Sequence, residues 1–98
     1  MTKAKPIRWN PEKNLELMQA RGISFEAILS SIEQGGLLMT LEHPNQGNYP
    51  NQKIWVVKLR EYAHLVPFVE SEGEIFLKTI MPSRKATKQF LDEAGDED

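Results

Sequence analysis

The pair Gly35-Gly36 divides this 98-residue chain into two parts with different hydrophobic periods. Before the pair, apolar residues recur at the spacing of an amphipathic helix, as in Phe25, Ile28 and Ile32. From Leu37 onward, short apolar runs alternate with turn-forming segments, which is typical of β-strands. Helices followed by a run of strands predict an α+β domain built on an antiparallel sheet.

Capping residues predict where the helices begin and end. Asn10 followed by Pro11 is a strong helix start, because Asn accepts hydrogen bonds from free amides and Pro fits the first turn. We expect this helix to end at about Arg21, before Gly22. Ser24 is expected to cap a second helix, which the glycine pair ends.

Apolar runs and turn residues predict the remaining elements. We expect strands at 7–9, 37–41, 53–59, 62–69 and 75–81, and a last helix after residue 83. Arg60-Glu61 has the length of a two-residue hairpin, although neither residue favours positive φ. Pro67 predicts that its strand lies at an edge or contains a bulge. The expected order is βααββββα in one domain over 1–98, with the helices packed against one face of the sheet and disordered tails at 1–5 and 92–98.

The last predicted helix has cations where its dipole disfavours them. Ser83 is its expected N-cap, and Arg84 and Lys85 follow, with Lys88 one turn later. A helix N-terminus carries about half a positive charge, so these cations cost about 0.3–1 kcal/mol each at low salt. The pattern indicates a phosphate or carboxylate site; the alternative is a solvated helix start whose cations pair with acids elsewhere.

Composition limits the classes of protein that fit. Net charge is −2, but the last seven residues hold five of the fourteen acids, which leaves nine acids against twelve Lys and Arg, or +3, in residues 1–91. There is no cysteine, hence no disulfide and no thiolate metal ligand. No run has the length of a membrane span, and no apolar run follows the N-terminus as in a signal peptide. We expect a cytoplasmic protein that is not bound to a membrane.

The candidate functional side chains are mostly cations, together with two histidines that could transfer a proton. His64 or His43 can move a proton near neutral pH, and Trp9 is either a core residue or a platform for stacking a base. Strand alternation suggests that Lys58, His64 and Lys78 share one open face. Such residues suit metal-free RNA cleavage, in which fixed cations stabilise a phosphorane. The candidate catalytic residues are Arg84, Lys85 and His64, and the candidate RNA-binding residues are Lys13, Lys58, Lys78, Lys88 and Trp9.

Three motifs occur in order along the chain. Residues 9–13 read Trp-Asn-Pro-Glu-Lys, residues 22–26 read Gly-Ile-Ser-Phe-Glu, and residues 83–87 read Ser-Arg-Lys-Ala-Thr. They resemble the Trp-Asp-Pro-x-Lys, Gly-Val-Ser-Phe-Glu and Ala-Arg-Lys-Ala-Thr segments of BrnT-type toxins. The resemblance covers residues 7–91.

That resemblance implies a RelE-like fold and a type II toxin. The implied activity is a small ribonuclease that cleaves RNA, inhibits translation and is neutralised by a cognate antitoxin. Arg84 and Lys85 carry over by motif, as do Trp9 and Lys13. His64 does not match the family pattern and rests on its chemistry alone. No metal or other cofactor is implied.

Other functions fit the same residues. The acidic end and the modest basic content also suit a catalytically inactive RNA- or protein-binding module on the same scaffold. A small-molecule anion binder or a structural subunit is a third possibility. Exposed strand edges would allow a homodimer or a toxin–antitoxin hetero-oligomer.

Overall fold

The computed structural model describes residues 5–91, which form an α+β fold, as expected. In chain order the elements are β1 (Ile7–Trp9), α1 (Pro11–Arg21), α2 (Phe25–Glu33), β2 (Leu37–Glu42), β3 (Gln52–Leu59), β4 (Tyr62–Glu70), β5 (Ile75–Leu77), β6 (Met81–Pro82) and α3 (Arg84–Phe90). No helix within this range is both long enough and apolar enough to cross a membrane.

The predicted tails fall mostly outside the described residues. This holds for residues 92–98 and for residues 1–4. Lys5 is the one residue of the predicted tails that is described: its Nζ lies 2.9 Å from Glu70 Oε2 and donates to the carbonyl oxygen of Ser71 at 2.7 Å.

The helix boundaries follow from the capping residues. Asn10 Oδ1 accepts hydrogen bonds from the amides of Glu12 and Lys13, which satisfies two free donors of α1. Gly22 ends the helix at φ 68°, a left-handed conformation that glycine adopts without strain. Ser24 caps α2 by accepting from the Ala27 amide, so these predictions are confirmed.

The sheet has the strand order β1-β5-β4-β3-β2, with β6 also paired to β4. The pairs among β2 to β6 are antiparallel, but β1 runs parallel to β5, with Ile7 opposite Ile75 and Trp9 opposite Leu77. The sheet was predicted to be antiparallel, and it is antiparallel except at this edge. Parallel pairing needs a long connection, and the intervening helices and strands provide it.

Both faces of the β3–β4 pair are covered by helices. Val56 and Val57 are adjacent in β3 and fully buried, although neighbouring strand residues point to opposite faces. Val57 packs in the core that contains α1 and α2, whereas Val56 packs with Ala63 and with Ala86 of α3. We call these the α1–α2 face and the α3 face. The expectation that all helices pack against one face is wrong, because β3 and β4 are apolar on both sides.

The predicted strand over residues 75–81 is in fact two strands. After Leu77 the chain leaves the ladder, buries Ile80 in the core of the α1–α2 face, and pairs again at Met81. Pro67 lies beside this gap in a central strand, so of the two predicted alternatives, an edge or a bulge, the edge is wrong. The Pro67 carbonyl oxygen accepts a hydrogen bond from the Lys78 amide, on the side of β4 that faces the gap. The N–H and C=O of one strand residue point to the same side, so the N–H that proline lacks would also face the gap, and no hydrogen bond to β3 is lost.

A buried polar side chain links the two long helices. Asn14 Oδ1 accepts the Phe25 amide at 2.8 Å, and its Nδ2 donates to Glu26 Oε1 at 2.8 Å. The bond from Asn14 lowers the pKa of Glu26 below its ordinary value. One side chain therefore satisfies the first amide of α2 and sets the angle between α1 and α2.

Replacing Asn14 by Ala leaves the Phe25 amide buried without a partner. We expect Asn14→Ala to lower the free energy of unfolding by about 1–3 kcal/mol, measured by urea denaturation. Leu15→Ala, at an exposed neighbouring position, should change it by less than about 0.5 kcal/mol. Equal losses in the two variants would contradict the role assigned to Asn14.

Candidate functional site

Helix α3 is attached to the end of β4 through the backbone of Ala63. The Ser83 amide donates to the Ala63 carbonyl oxygen at 3.0 Å, and the Ala63 amide donates to Thr87 Oγ1 at 2.8 Å. Thr87 Oγ1 in turn donates to the Ser83 carbonyl oxygen at 2.8 Å. Ser83 and Thr87 thus take the place of a neighbouring strand, so both ends of the Ser-Arg-Lys-Ala-Thr motif position the helix.

The cations between and after these anchors are exposed. Arg84, Lys85 and Lys88 all face solvent, while Ala86 and Thr87 are buried against the sheet. Ser83 Oγ caps the helix by accepting from the Ala86 amide at 3.0 Å, as predicted. The ion pairs found within residues 5–91 include none of the three cations. Three like charges on one short helix create a positive potential that attracts polyanions.

Of the two other predicted strand cations, Lys58 shares the α3 face. Lys58 is opposite Ala63 in the β3–β4 register, so it lies next to the residue that anchors α3. Its Nζ is 3.7 Å from Glu61 Oε1, and this exposed pair is worth little in water. Lys78 is exposed and lies just beyond the end of β5, where its amide donates to the Pro67 carbonyl oxygen at 2.8 Å.

An apolar groove of about 250 Å³ borders the cations. Its floor comes from β2, β3 and β4, and one wall is the side of α3 that carries Lys85 and Gln89, which are one turn apart. Arg84 and Lys88 lie on a different stripe of the helix. The residues that line the groove are Leu41, Val56, Leu65, Ser83, Lys85, Ala86, Gln89 and Phe90.

His64 is on the opposite side of the sheet from these cations. It is opposite Val57 in the β3–β4 register and therefore belongs to the α1–α2 face, so the expectation that it shares a face with Lys58 is wrong. Only its backbone is close to α3, because Pro82 of β6 is its pairing partner. The face of a strand residue depends on register, which the sequence does not specify.

The geometry fixes the protonation pattern of the His64 ring. Nδ1 lies 3.1 Å from the Tyr62 carbonyl oxygen, which can only accept, so Nδ1 carries the hydrogen and Nε2 keeps its lone pair in the neutral form. Burial lowers the pKa of His64; the hydrogen bond to Tyr62 opposes this, and the charges of Arg60 and Arg21 add to the lowering. His64 is 4% exposed and is neutral at physiological pH.

The hairpin tip supplies a structural contact that sequence patterns missed. Arg60 and Glu61 form the predicted two-residue turn with φ of 58° and 62°, so both adopt the left-handed conformation that disfavours side chains. Arg60 Nη2 donates to the Gly22 carbonyl oxygen at 3.0 Å and thereby ties the turn to the end of α1. A two-residue turn without glycine is strained, and this was visible in the sequence. It was the available indication that Arg60 is kept at this position for a contact.

Trp9 and Lys13 lie apart from the α3 face. The Trp9 ring is half-buried and stacks on Phe25 with centroids 5.4 Å apart, next to the core of the α1–α2 face. Lys13 Nζ is 4.0 Å from Glu16 Oε1 on the surface of α1. No three His, Asp or Glu side chains of residues 5–91 are grouped so that they could hold a metal ion.

The hydroxyl of Thr87 can be tested by two conservative changes. Thr87→Val keeps the shape but leaves the Ala63 amide without its acceptor, so we expect a loss of about 1–3 kcal/mol in unfolding free energy. Thr87→Ser keeps the hydroxyl and should lose less than Thr87→Val. Urea denaturation measures both, and an equal or larger loss in Thr87→Ser would contradict the anchoring role.

The lowered pKa of His64 predicts a pH dependence of stability. Between its unfolded pKa of about 6.5 and its lower folded pKa, the unfolded state binds a proton that the folded state does not. Stability should therefore fall as the pH is lowered from about 7.5 through 6.5, until the folded pKa is passed. His64→Gln should have a flatter profile in urea denaturation across this range, and parallel profiles would contradict the lowered pKa.

Four of the predicted site residues thus form a group on the α3 face, namely Arg84, Lys85, Lys88 and Lys58. His64 lies on the other face, and Trp9 and Lys13 lie apart from the group. Comparison with known proteins adds no assignment to these residues, since no protein-family model, curated protein or solved structure matches this chain.

Proposed function

We propose that the chain is a metal-independent endoribonuclease toxin of the BrnT type, within the RelE-like superfamily. Its substrate is RNA, its cleavage inhibits translation in the cytoplasm, and a cognate antitoxin neutralises it. The observation that carries this proposal is the exposed cation group on the α3 face. The three motifs that resemble BrnT segments support the same assignment.

The cation group is exposed and positively charged, as the binding of an RNA phosphate backbone requires. Arg84 and Lys85 are exposed at the start of α3, Lys88 follows one turn later, and Lys58 lies beside the anchor of the helix. Within residues 5–91 the three helix cations have no ion-pair partner, so binding a phosphate does not require breaking an existing pair. Arginine can also bind two oxygens of one phosphate through a planar pair of N–H groups, whereas lysine acts as a point charge.

The order of the elements is compatible with the RelE-like arrangement. One strand precedes two helices, antiparallel strands follow, and a helix with the Arg-Lys-Ala-Thr motif comes after the last strand. This helix lies on the face of the sheet that the first two helices leave open. A groove and cations on an open sheet face give a single strand of RNA a surface on which it can lie extended.

The proposed reaction uses the RNA's own nucleophile. The ribose 2′-oxygen attacks the adjacent phosphorus, its proton passes to a base, and the bond from phosphorus to the 5′-oxygen breaks. The products are a 2′,3′-cyclic phosphate and a 5′-hydroxyl, which takes up a proton. Arg84 and Lys85 stabilise the extra negative charge on the phosphorane, which fixed cations can do without reorganisation.

A binding module without catalysis is the second candidate, and one observation favours it. The ring of His64 is on the α1–α2 face, so it is not beside the cations that would hold the phosphate. An RNA held only by Arg84, Lys85 and Lys88 would be bound and oriented without a protein base. Cleavage then depends on solvent for proton transfer, and binding would persist where cleavage is slow.

Purified full-length protein should bind single-stranded RNA with a strong salt dependence and cleave it in the presence of EDTA. We expect Arg84→Ala to reduce cleavage by at least about tenfold, and to lower the slope of log affinity against log salt by about 0.7, because one phosphate contact is lost. In a bacterial host, induction of the wild type should arrest growth and Arg84→Ala should not.

Arg8→Ala is the matched control. Arg8 is an exposed arginine on β1, paired with Glu74 at 3.1 Å. In the sheet register it is level with Val69, at the opposite end of β4 from the Ala63 anchor of α3, so its loss removes the same charge outside the site. It should retain binding, cleavage and toxicity. RNA binding without cleavage by the wild type would select the binding module, and absence of RNA binding would refute both candidates.

A further inference from the structure

Strand β2 is an edge of the sheet whose outer side is open. It is last in the strand order and pairs only with β3 among the described residues. Three of its side chains are large, apolar and exposed: Leu37 is 39% exposed, Met39 43% and Leu41 40%. An edge of six residues with this composition is a ready template for another strand.

Strand β2 has a register shift between Leu37 and Met39, but it lacks the residues that most often protect a sheet edge. Its sequence, Leu-Leu-Met-Thr-Leu-Glu, contains no lysine and no proline. The opposite edge, β1, is only three residues long and carries the exposed Arg8. Of the two edges, β2 is therefore the longer and the more apolar.

The strand is complementary to itself in one antiparallel register. Met39 and Leu41 pair with Val56 and Ile54, so both side chains lie on the α3 face. Two copies of β2 related by a two-fold axis at Thr40 would place Met39 of each opposite Leu41 of the other, and the two threonines opposite each other. Apolar and Thr–Thr pairs of this kind stabilise antiparallel sheets.

Charge does not oppose this pairing. The single charged residue of β2 is Glu42, at its end, where it pairs across the sheet with Lys53. In a register centred on Thr40 the two Glu42 side chains lie at opposite ends of the interface. We propose that β2 is the contact between two copies of this chain, which join their sheets edge to edge through antiparallel pairing centred on Thr40. This proposal is independent of the proposed activity on RNA.

The absence of cysteine from the chain allows a direct test of the register. In antiparallel pairs the facing Cα atoms are about 4.5–5.5 Å apart, within the range that a disulfide spans. Under mild oxidation, full-length Thr40→Cys should form a disulfide-linked dimer at least about tenfold faster than Gln19→Cys, which places the thiol on the exposed surface of α1.

Sedimentation equilibrium provides a second readout on the unmodified chain. The wild type should be dimeric at about 100 μM, and Met39→Lys, which occurs twice in the interface, should raise the dissociation constant at least about tenfold. Met18→Lys is the control, since Met18 is equally exposed but lies on α1. A monomeric wild type, equal crosslinking of the two cysteine variants, or equal weakening by the two lysine variants would overturn the proposal.

Discussion

The two-sided burial of the β3–β4 hairpin is the constraint on which the rest of the fold depends. Adjacent residues such as Val56 and Val57 are fully buried against different helices, so the pair cannot be exposed on either face. One face requires the α1–α2 hairpin, which Asn14 holds in shape, and the other requires α3. A chain of this size has little apolar surface to spare, and covering both faces uses it on the longest strand pair.

The same stretch of β4 serves both faces in different ways. Ala63 binds α3 through its backbone amide and carbonyl, and its neighbour His64 projects into the other face with its tautomer fixed by Tyr62. The cations of α3 are therefore positioned by hydrogen bonds made at their flanks, by Ser83 and Thr87, and not by their own contacts. This arrangement leaves the charged groups available to a ligand while the helix stays fixed.

Local chemistry was predictable from the sequence, and spatial relations were not. Caps such as Asn10 and Ser83 act on amides two or three residues away, so their pattern specifies helix starts directly. The two-residue turn at Arg60 was likewise predictable, because two residues separate the apolar runs of β3 and β4. The side of the sheet that α3 covers, the face of His64 and the central place of Pro67 all depend on which strands become neighbours, and that is decided by packing across the whole chain.

The chain order of these elements also affects when each surface exists during synthesis. The β3–β4 hairpin joins residues that are close in sequence, so its pairing can form early. The helices α1 and α2 leave the ribosome before this hairpin and can then pack on it, whereas α3 comes last and completes the second core. A nascent chain can therefore fold much of the α1–α2 face before the cation-bearing surface exists, so this surface is assembled on a hairpin that is already supported.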